Sequence, residues 1–263
     1  MTNAQAILAM LDGTVADNKR RQLIALRELC LGPPGAKHVS GGAQLAAIVK
    51  MLEVHCDRPL IEISVQFRSS PALGTEFDTA VPWSNNGRSI TQAEAHILQD
   101  DRITASAHAT LGTRPDLGEF QWVSAPYVPL PDACPPMPFI RMDEGDLHSH
   151  LGFRIASDPA TDRNGRLCFW VPWSSQEVVS SALLALIGDY LPEAVHFNIG
   201  RPAGAVSLDN KLRIIRRTET KWLLCEVQLS AVHAGLFHGQ MLMYDEQQRL
   251  LAVASQSGIV RPI

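Results

Sequence analysis

The sequence predicts an α+β protein in which one structural unit is used twice, and three observations carry that prediction. Val178–Asp189 is apolar on every side, and a helix with no polar face must be buried on most sides. Four strand-like segments follow it: Val206–Ile214, Lys221–Ser230, Gly235–Tyr244 and Leu250–Val260. The same order, apolar helix and then strands, also occupies the first half of the chain. At about 12–14 residues the apolar helix is too short to span a bilayer. An antiparallel sheet must therefore wrap it.

Taken in order, Ala4–Leu11 reads as a short amphipathic helix, and Arg21–Leu29 as a strand with a helix as the alternative. Leu31-Gly32-Pro33-Pro34-Gly35 is a turn by composition. Ser40-Gly41-Gly42 introduces the first apolar helix, Gly42–Val54. Ile61, Ile63, Val65 and Phe67 then alternate with polar residues, the period of a half-buried strand. Gly74–Val81, Arg88–Gln99 and Arg102–Gly112 follow, with hairpin turns expected at Asn85-Asn86-Gly87 and Asp100-Asp101.

Seven prolines lie between Pro115 and Pro138, too many missing backbone donors for an interior strand. This stretch is expected to be a linker or an ordered surface crossover. Leu151–Ala156 and Gly165–Trp173 read as strands leading to the second helix, Ser175–Asp189, with Ser174-Ser175-Gln176-Glu177 as its capping box. The expected division is residues 1–114, a crossover at 115–146, and residues 147–263.

The halves align at an offset of roughly 146 residues, and repeat detection should precede any fold assignment. Phe67 then faces Leu212, Asp100 faces Glu246, and the helix around Ala46 faces the one around Leu183. A buried helix followed by a meander of long strands, twice over, is the double hotdog arrangement.

Composition narrows the function. Charged residues make up only 19% of the chain, against roughly 25% in a typical soluble protein. That predicts extensive internal or intersubunit burial, hence a homodimer or higher homo-oligomer. A net charge of −4 gives no electrostatic reason to expect nucleic acid or an anionic membrane as partner. Five scattered cysteines with no CxxC pair fit reduced thiols. The N-terminus lacks the basic region of a signal peptide, so a cytoplasmic location is expected.

Asp189 closes an apolar helix, where burial would ordinarily forbid a carboxylate. A carboxylate can serve as general base for water, typically worth roughly 10²–10⁴-fold. Taken by themselves, Ser207 carries almost no signal and Gln256 reads as an outward-facing polar residue in an apolar strand. Gly41 and Gly42 open a helix whose first N–H groups could receive a carbonyl oxygen, with no side chain to block its approach.

Several motifs in the chain resemble the type II acyl-CoA thioesterases, which are double hotdog proteins. They are Ile187-Gly188-Asp189-Tyr190-Leu191-Pro192, Ser207-Leu208-Asp209, Trp222-Leu223-Leu224 and Ala254-Ser255-Gln256-Ser257-Gly258-Ile259-Val260-Arg261. Val39-Ser40-Gly41-Gly42-Ala43-Gln44 is similar to that family's Gly-Gly-Gln entry to the first central helix, with one residue inserted. The resemblance implies hydrolysis of an acyl-CoA, without cofactor or metal. It also implies a water held by Asp189, Ser207 and Gln256, with Gly41 and Gly42 at the thioester oxygen. Ser207 stands where relatives often have Thr, and Ser257 where an acidic residue is common.

Three other readings compete. Gly188–Pro192 followed by His196 resembles the Gly-Asp-x-Asn-Pro-x-His motif of hotdog enoyl-CoA hydratases, but Leu191 replaces the Asn and His196 comes two residues late. A non-catalytic acyl-CoA-binding module would keep the fold without the chemistry. His148-Ser149-His150 invites a metal but has no evident third ligand. Asp209 reads as a structural partner.

Overall fold

The computed structural model describes residues 3–113, 115, 117–139, 142–157, 164–200 and 203–262. The readings made at residues 1–2, 114, 116 and 140–141 lie outside these. In the first half, helix α1 (Asn3–Met10) precedes the hairpin β1 (Thr14–Asp17) and β2 (Arg20–Ile24). The short pair β3 (Cys30–Leu31) and β4 (His38–Val39) then leads into α2 (Gly41–Cys56). Four strands follow, β5 (Leu60–Phe67), β6 (Glu76–Asn86), β7 (Ile90–Gln99) and β8 (Arg102–Gly112).

The second half opens with α3 (Leu147–Leu151), β9 (Arg154–Ile155) and β10 (Arg166–Val178). Helices α4 (Ser181–Ile187) and α5 (Leu191–Ile199) come next. Strands β11 (Ala203–Ser207), β12 (Asp209–Ile214), β13 (Glu219–His233), β14 (Leu236–Tyr244) and β15 (Leu250–Pro262) complete the chain.

All the long strands join one antiparallel sheet, ordered β1-β2-β6-β7-β8-β5-β12-β15-β14-β13-β10-β9, with β11 also on β15. The order β2-β6-β7-β8-β5 in the first half is repeated as β10-β13-β14-β15-β12 in the second. The two runs meet where β5 pairs with β12, Ile63 opposite Leu212. Local antiparallel pairing is what short connections permit.

Both apolar helices lie inside. In α2, Leu45, Ala46, Ile48, Val49 and Leu52 are fully buried, and only its last turn surfaces, at Val54. Every residue of α4 is buried. The two helices pack against each other in opposite directions: Gly42 meets the end of α4 at Leu186, while Glu53 meets its start at Ser181.

Several boundaries differ from the sequence reading. The second helix does not start at Ser175 under a Ser174–Glu177 capping box. That stretch continues β10, and Ser180 is the cap, its hydroxyl accepting from Leu183 N at 3.1 Å. The helix is also broken. It stops at Ile187, Asp189 occupies the break, and the chain restarts as α5 with Pro192 in its first turn, where a missing N–H costs nothing. Pro192 therefore begins a helix instead of ending one.

Residues Leu147–Leu151 are helical where a strand was expected to begin at Leu151, because Asp146 caps them, accepting from Ser149 N. The strand expected over Arg21–Leu29 ends at Ile24 and gives way to a 3-10 turn at Arg27–Leu29. Strand β6 runs through Asn86, so its turn sits later, and an irregularity between Ala80 and Trp83 absorbs Pro82. Asp100 and Asp101 form the expected turn, both at positive φ.

Among its described residues the proline-rich stretch contains no strand, and it is tied down along the C-terminal half of the sheet. Pro129 O accepts from Trp170 Nε1 at 2.9 Å and Ser124 O from the Tyr244 hydroxyl at 3.2 Å. It is an ordered crossover. Among the described residues no helix is long and apolar enough to cross a membrane.

Candidate active site

The site forms where the end of α4 faces the start of α2 over the strands β11, β12 and β15. The helix end packs on the sheet at Gly188, where a Cβ would meet Ala254 and Leu212 at ordinary contact distance but would come within 2.9 Å of the Leu184 carbonyl oxygen. Opposite, Ser40 caps α2 by accepting from Ala43 N at 3.0 Å. A Cβ on Gly41 would come within 2.5 Å of Asp189 Oδ2, and one on Gly42 would collide with the carbonyl oxygen of Leu186. Both glycines are needed for helix-on-helix approach here.

Three residues that are far apart in sequence converge on one carboxylate oxygen. Ser207 Oγ donates to Asp189 Oδ1 at 3.0 Å, and Gln256 Nε2 donates to the same oxygen at 2.5 Å. Gln256 Nε2 also lies 2.6 Å from Ser207 Oγ. Ser207 sits at the break between β11 and β12, opposite Gly258 of β15. The close approach there depends on Gly258, since a Cβ would strike the Phe237 ring and the Val206 carbonyl. Gln256, two residues earlier on β15, is 3% exposed and points inward.

Burial pushes the Asp189 carboxyl up to about 6, and hydrogen bonds from Ser207, Gln256, Asn210 and the Gly42 N–H hold it from rising further. A carboxylate so placed is ionised at neutral pH and still basic enough to take a proton from water. The Gly42 N–H is thus directed at Asp189, which leaves Gly41 as the glycine available to a substrate oxygen.

Asp189, Ser207, Gly41 and Gly42 line one cavity of about 620 Å³. Gln256 lies behind it as part of the buried support. Asp209 accepts from Ser257 N at 2.8 Å and is structural, as its position implies. His196 does not line the cavity; its ring lies tilted beside Phe197 on α5, with no hydrogen bond to Asp189 among the described residues. The Asp–His pair of the hydratase motif is not assembled. Among the described residues no three His, Cys, Asp or Glu side chains are grouped to hold a metal ion.

The comparisons with known proteins identify the family. Residues 32–112 match the acyl-CoA thioesterase N-terminal domain, and residues 131–260 match the acyl-CoA thioesterase C-terminal domain. A candidate thioesterase from Novosphingobium aromaticivorans is 30% identical, superposes with a TM-score of 0.86, and is covered over 98% of its length by 94% of this chain. The chain belongs to the type II acyl-CoA thioesterase family. It is a thioester hydrolase. The TesB protein of Mycobacterium avium subsp. paratuberculosis shares the fold at 16% identity and a TM-score of 0.80, over 99% of this chain and 100% of that one. A hot dog fold protein of Alicyclobacillus acidocaldarius does so at 17% and 0.83, over 98% of each chain. Curated proteins give no match in sequence.

The sequence reading of this thioesterase did not place four residues at the site. Asn210 is fully buried, donates to Gly188 O at 2.9 Å and helps hold down the Asp189 carboxyl, steadying the helix break. Its signal was legible: β12 alternates, and Asn210 shares the inward phase of Leu212. Tyr190, Glu193 and His148 line the cavity, and His148 Nε2 lies 3.8 Å from Glu193 Oε1. Burial raises Glu193 to about 7. Tyr190 entered the sequence reading only within a family motif and His148 only as a metal candidate, and nothing local marks Glu193, because the fold alone brings α3 and α5 to one cavity.

Proposed function

We propose that this thioesterase hydrolyses an acyl-CoA to the free acid and CoA with a water activated by Asp189, whose carboxylate is held by Ser207 and Gln256. The observation that carries the reading is the meeting of the helix break, the β11–β12 junction and β15 on Asp189 Oδ1. A purely structural aspartate at a helix end gives no reason for those three side chains to meet.

In this reading Ser207 and Gln256 hold the plane of the carboxylate through Oδ1. Oδ2, on the side of Gly41, takes the proton from water. The water oxygen attacks the thioester carbonyl carbon, and the oxyanion is received by the Gly41 N–H at the positive end of the 16-residue helix α2. Collapse of the tetrahedral adduct breaks the C–S bond. A thiolate leaves readily, so a strong general acid is not required, and the proton held by Asp189 can neutralise the sulfur.

The repeated strand order supports a double hotdog, with modules at 1–114 and 147–263 joined by the crossover 115–146. Five free cysteines suit a reducing cytoplasm. The exposed apolar residues of the crossover, among them Trp122 and Tyr127, are consistent with a homo-oligomer.

A panel of acyl-CoAs with thiol release monitored tests the reading. Release on at least one chain length is the expected result. Binding without release would instead favour a non-catalytic module, and loss of enoyl absorbance without release would favour a hydratase.

A further inference from the structure

The cavity that holds Asp189 is lined by two chemically different groups of residues. One is largely withdrawn from solvent: His148 stacks on Phe139 at 3.9 Å between ring centroids, Tyr190 is 5% exposed, and the half-buried Glu193 adds a carboxylate. The other consists of two exposed arginines, Arg68 and Arg261. Arg68 is the first residue past β5, whose Phe67 N donates to Leu208 O beside Ser207. Arg261 lies on β15 opposite Gly204. The arginines therefore flank the two ends of β11, the strand that forms the cavity wall through Ala205, Val206 and Ser207.

Neither arginine forms an ion pair among the described residues, and Arg68 reaches only Ser106 Oγ, at 3.4 Å. Arg21, Arg58 and Arg154 likewise form no ion pair among the described residues, but each donates to a backbone carbonyl. Arg68 and Arg261 instead share the lining of one cavity. Guanidinium groups match phosphate oxygens in geometry and charge, and remain charged throughout the working pH range. The Glu193 carboxylate on the same cavity would repel phosphate.

We propose that Arg68 and Arg261 bind the phosphate groups of CoA, which orients the substrate with its acyl chain toward Tyr190 and Glu193. The assignment rests on the thioesterase reading for the polarity of the substrate, and the test separates the two. One acyl group is presented as its CoA thioester and as its pantetheine thioester, which lacks every phosphate. Wild type is expected to favour the CoA thioester in kcat/KM. Arg68→Ala and Arg261→Ala are each expected to lower that preference about tenfold, through KM for the CoA thioester, and Arg→Lys is expected to restore part of it.

The wild-type protein supplies a check that needs no variant. Added salt should lower kcat/KM for the CoA thioester and leave the pantetheine thioester nearly unchanged. Titration with CoA alone reads the same contacts without turnover, and each Arg→Ala variant should bind it about tenfold more weakly. Equal losses on the two thioesters, equal salt dependence, or unchanged CoA binding would each overturn the assignment. Failure to cleave either thioester would overturn the thioesterase reading instead, with CoA titration still deciding the role of the arginines.

Discussion

The antiparallel helix pair has two ends built on the same plan, and only one of them is equipped for chemistry. At the first, the start of α2 faces Asp189 at the end of α4. At the second, the start of α4 faces Glu53 near the end of α2. Ser40 caps one helix and Ser180 the other. At the first end the residues after the cap are Gly41 and Gly42, and the carboxylate is bonded by neutral donors. At the second they are Ser181 and Ala182.

Glu53 Oε1 there accepts from Ser181 Oγ at 2.7 Å and Leu60 N at 2.8 Å, and it is paired with Arg217 at 3.4 Å. Arg217 also donates to Leu60 O at 2.6 Å and Ser181 Oγ at 3.0 Å. Glu53 Oε1 is thus taken up by a cation and two further donors. Asp189 has no cation partner among the described residues, and burial makes it more basic. The difference between a tie and a site lies in one arginine and two glycines.

Exchanging charge at the two ends should give the largest contrast. Asp189→Asn is expected to lower kcat by about 10²–10⁴-fold while acyl-CoA still binds, since the amide can hold a water but is a poor base. Glu53→Gln should leave kcat near wild type and lower stability by about 1–2 kcal/mol, read by denaturant unfolding, because Arg217 loses its counter-charge. Turnover that falls equally in both variants would erase the distinction.

The glycines sharpen it further. Gly42→Ala drives a methyl into the Leu186 carbonyl and should cost about 1–3 kcal/mol together with most of the turnover. The counterpart Ala182→Gly should cost about 1 kcal/mol of helix stability with turnover unchanged. Ser207→Ala and Gln256→Ala remove one support each from the carboxylate, and each should lower kcat by about tenfold, less than loss of the base itself.

A further effect is on stability. Burial raises the Asp189 carboxyl above its unfolded value, so its contribution to folding is fully present below the ordinary carboxylate range. That contribution is lost as pH rises through about 6. Asp189→Asn removes this penalty. Relative to wild type, the variant should be more stable at neutral pH than in acid, by at most about 3 kcal/mol.

Much of the fold was legible because its signals are local. The alternation at Ile61–Phe67, the paired aspartates at Asp100-Asp101 and the apolar α2 each mark their own element. The second helix was harder to delimit. A segment that is apolar all round has no phase, so nothing distinguished the end of β10 at Val178 from the first turn at Ser181. The break at Asp189 was hidden for a related reason, since Pro192 can stop a helix or start one.

The site was legible where a residue contradicts its surroundings, as a carboxylate closing an apolar helix does. Gln256 was legible only through the family motif, since a polar residue in a strand can simply face outward, and the structure brings the two together. Glu193 and His148 contradict nothing near them in sequence, and only the packing of α3 and α5 makes them neighbours.

The central claim is that ionised Asp189 is the base, and the pH dependence of kcat tests it most directly. Thiol release from a saturating acyl-CoA should follow one ionisation near pH 6, falling about tenfold per unit below it, as expected for a single essential base. In Asp189→Asn the residual rate should lose that ionisation. A wild-type rate that stays level well below pH 6, or an Asp189→Asn rate that keeps the same inflection, would contradict the account.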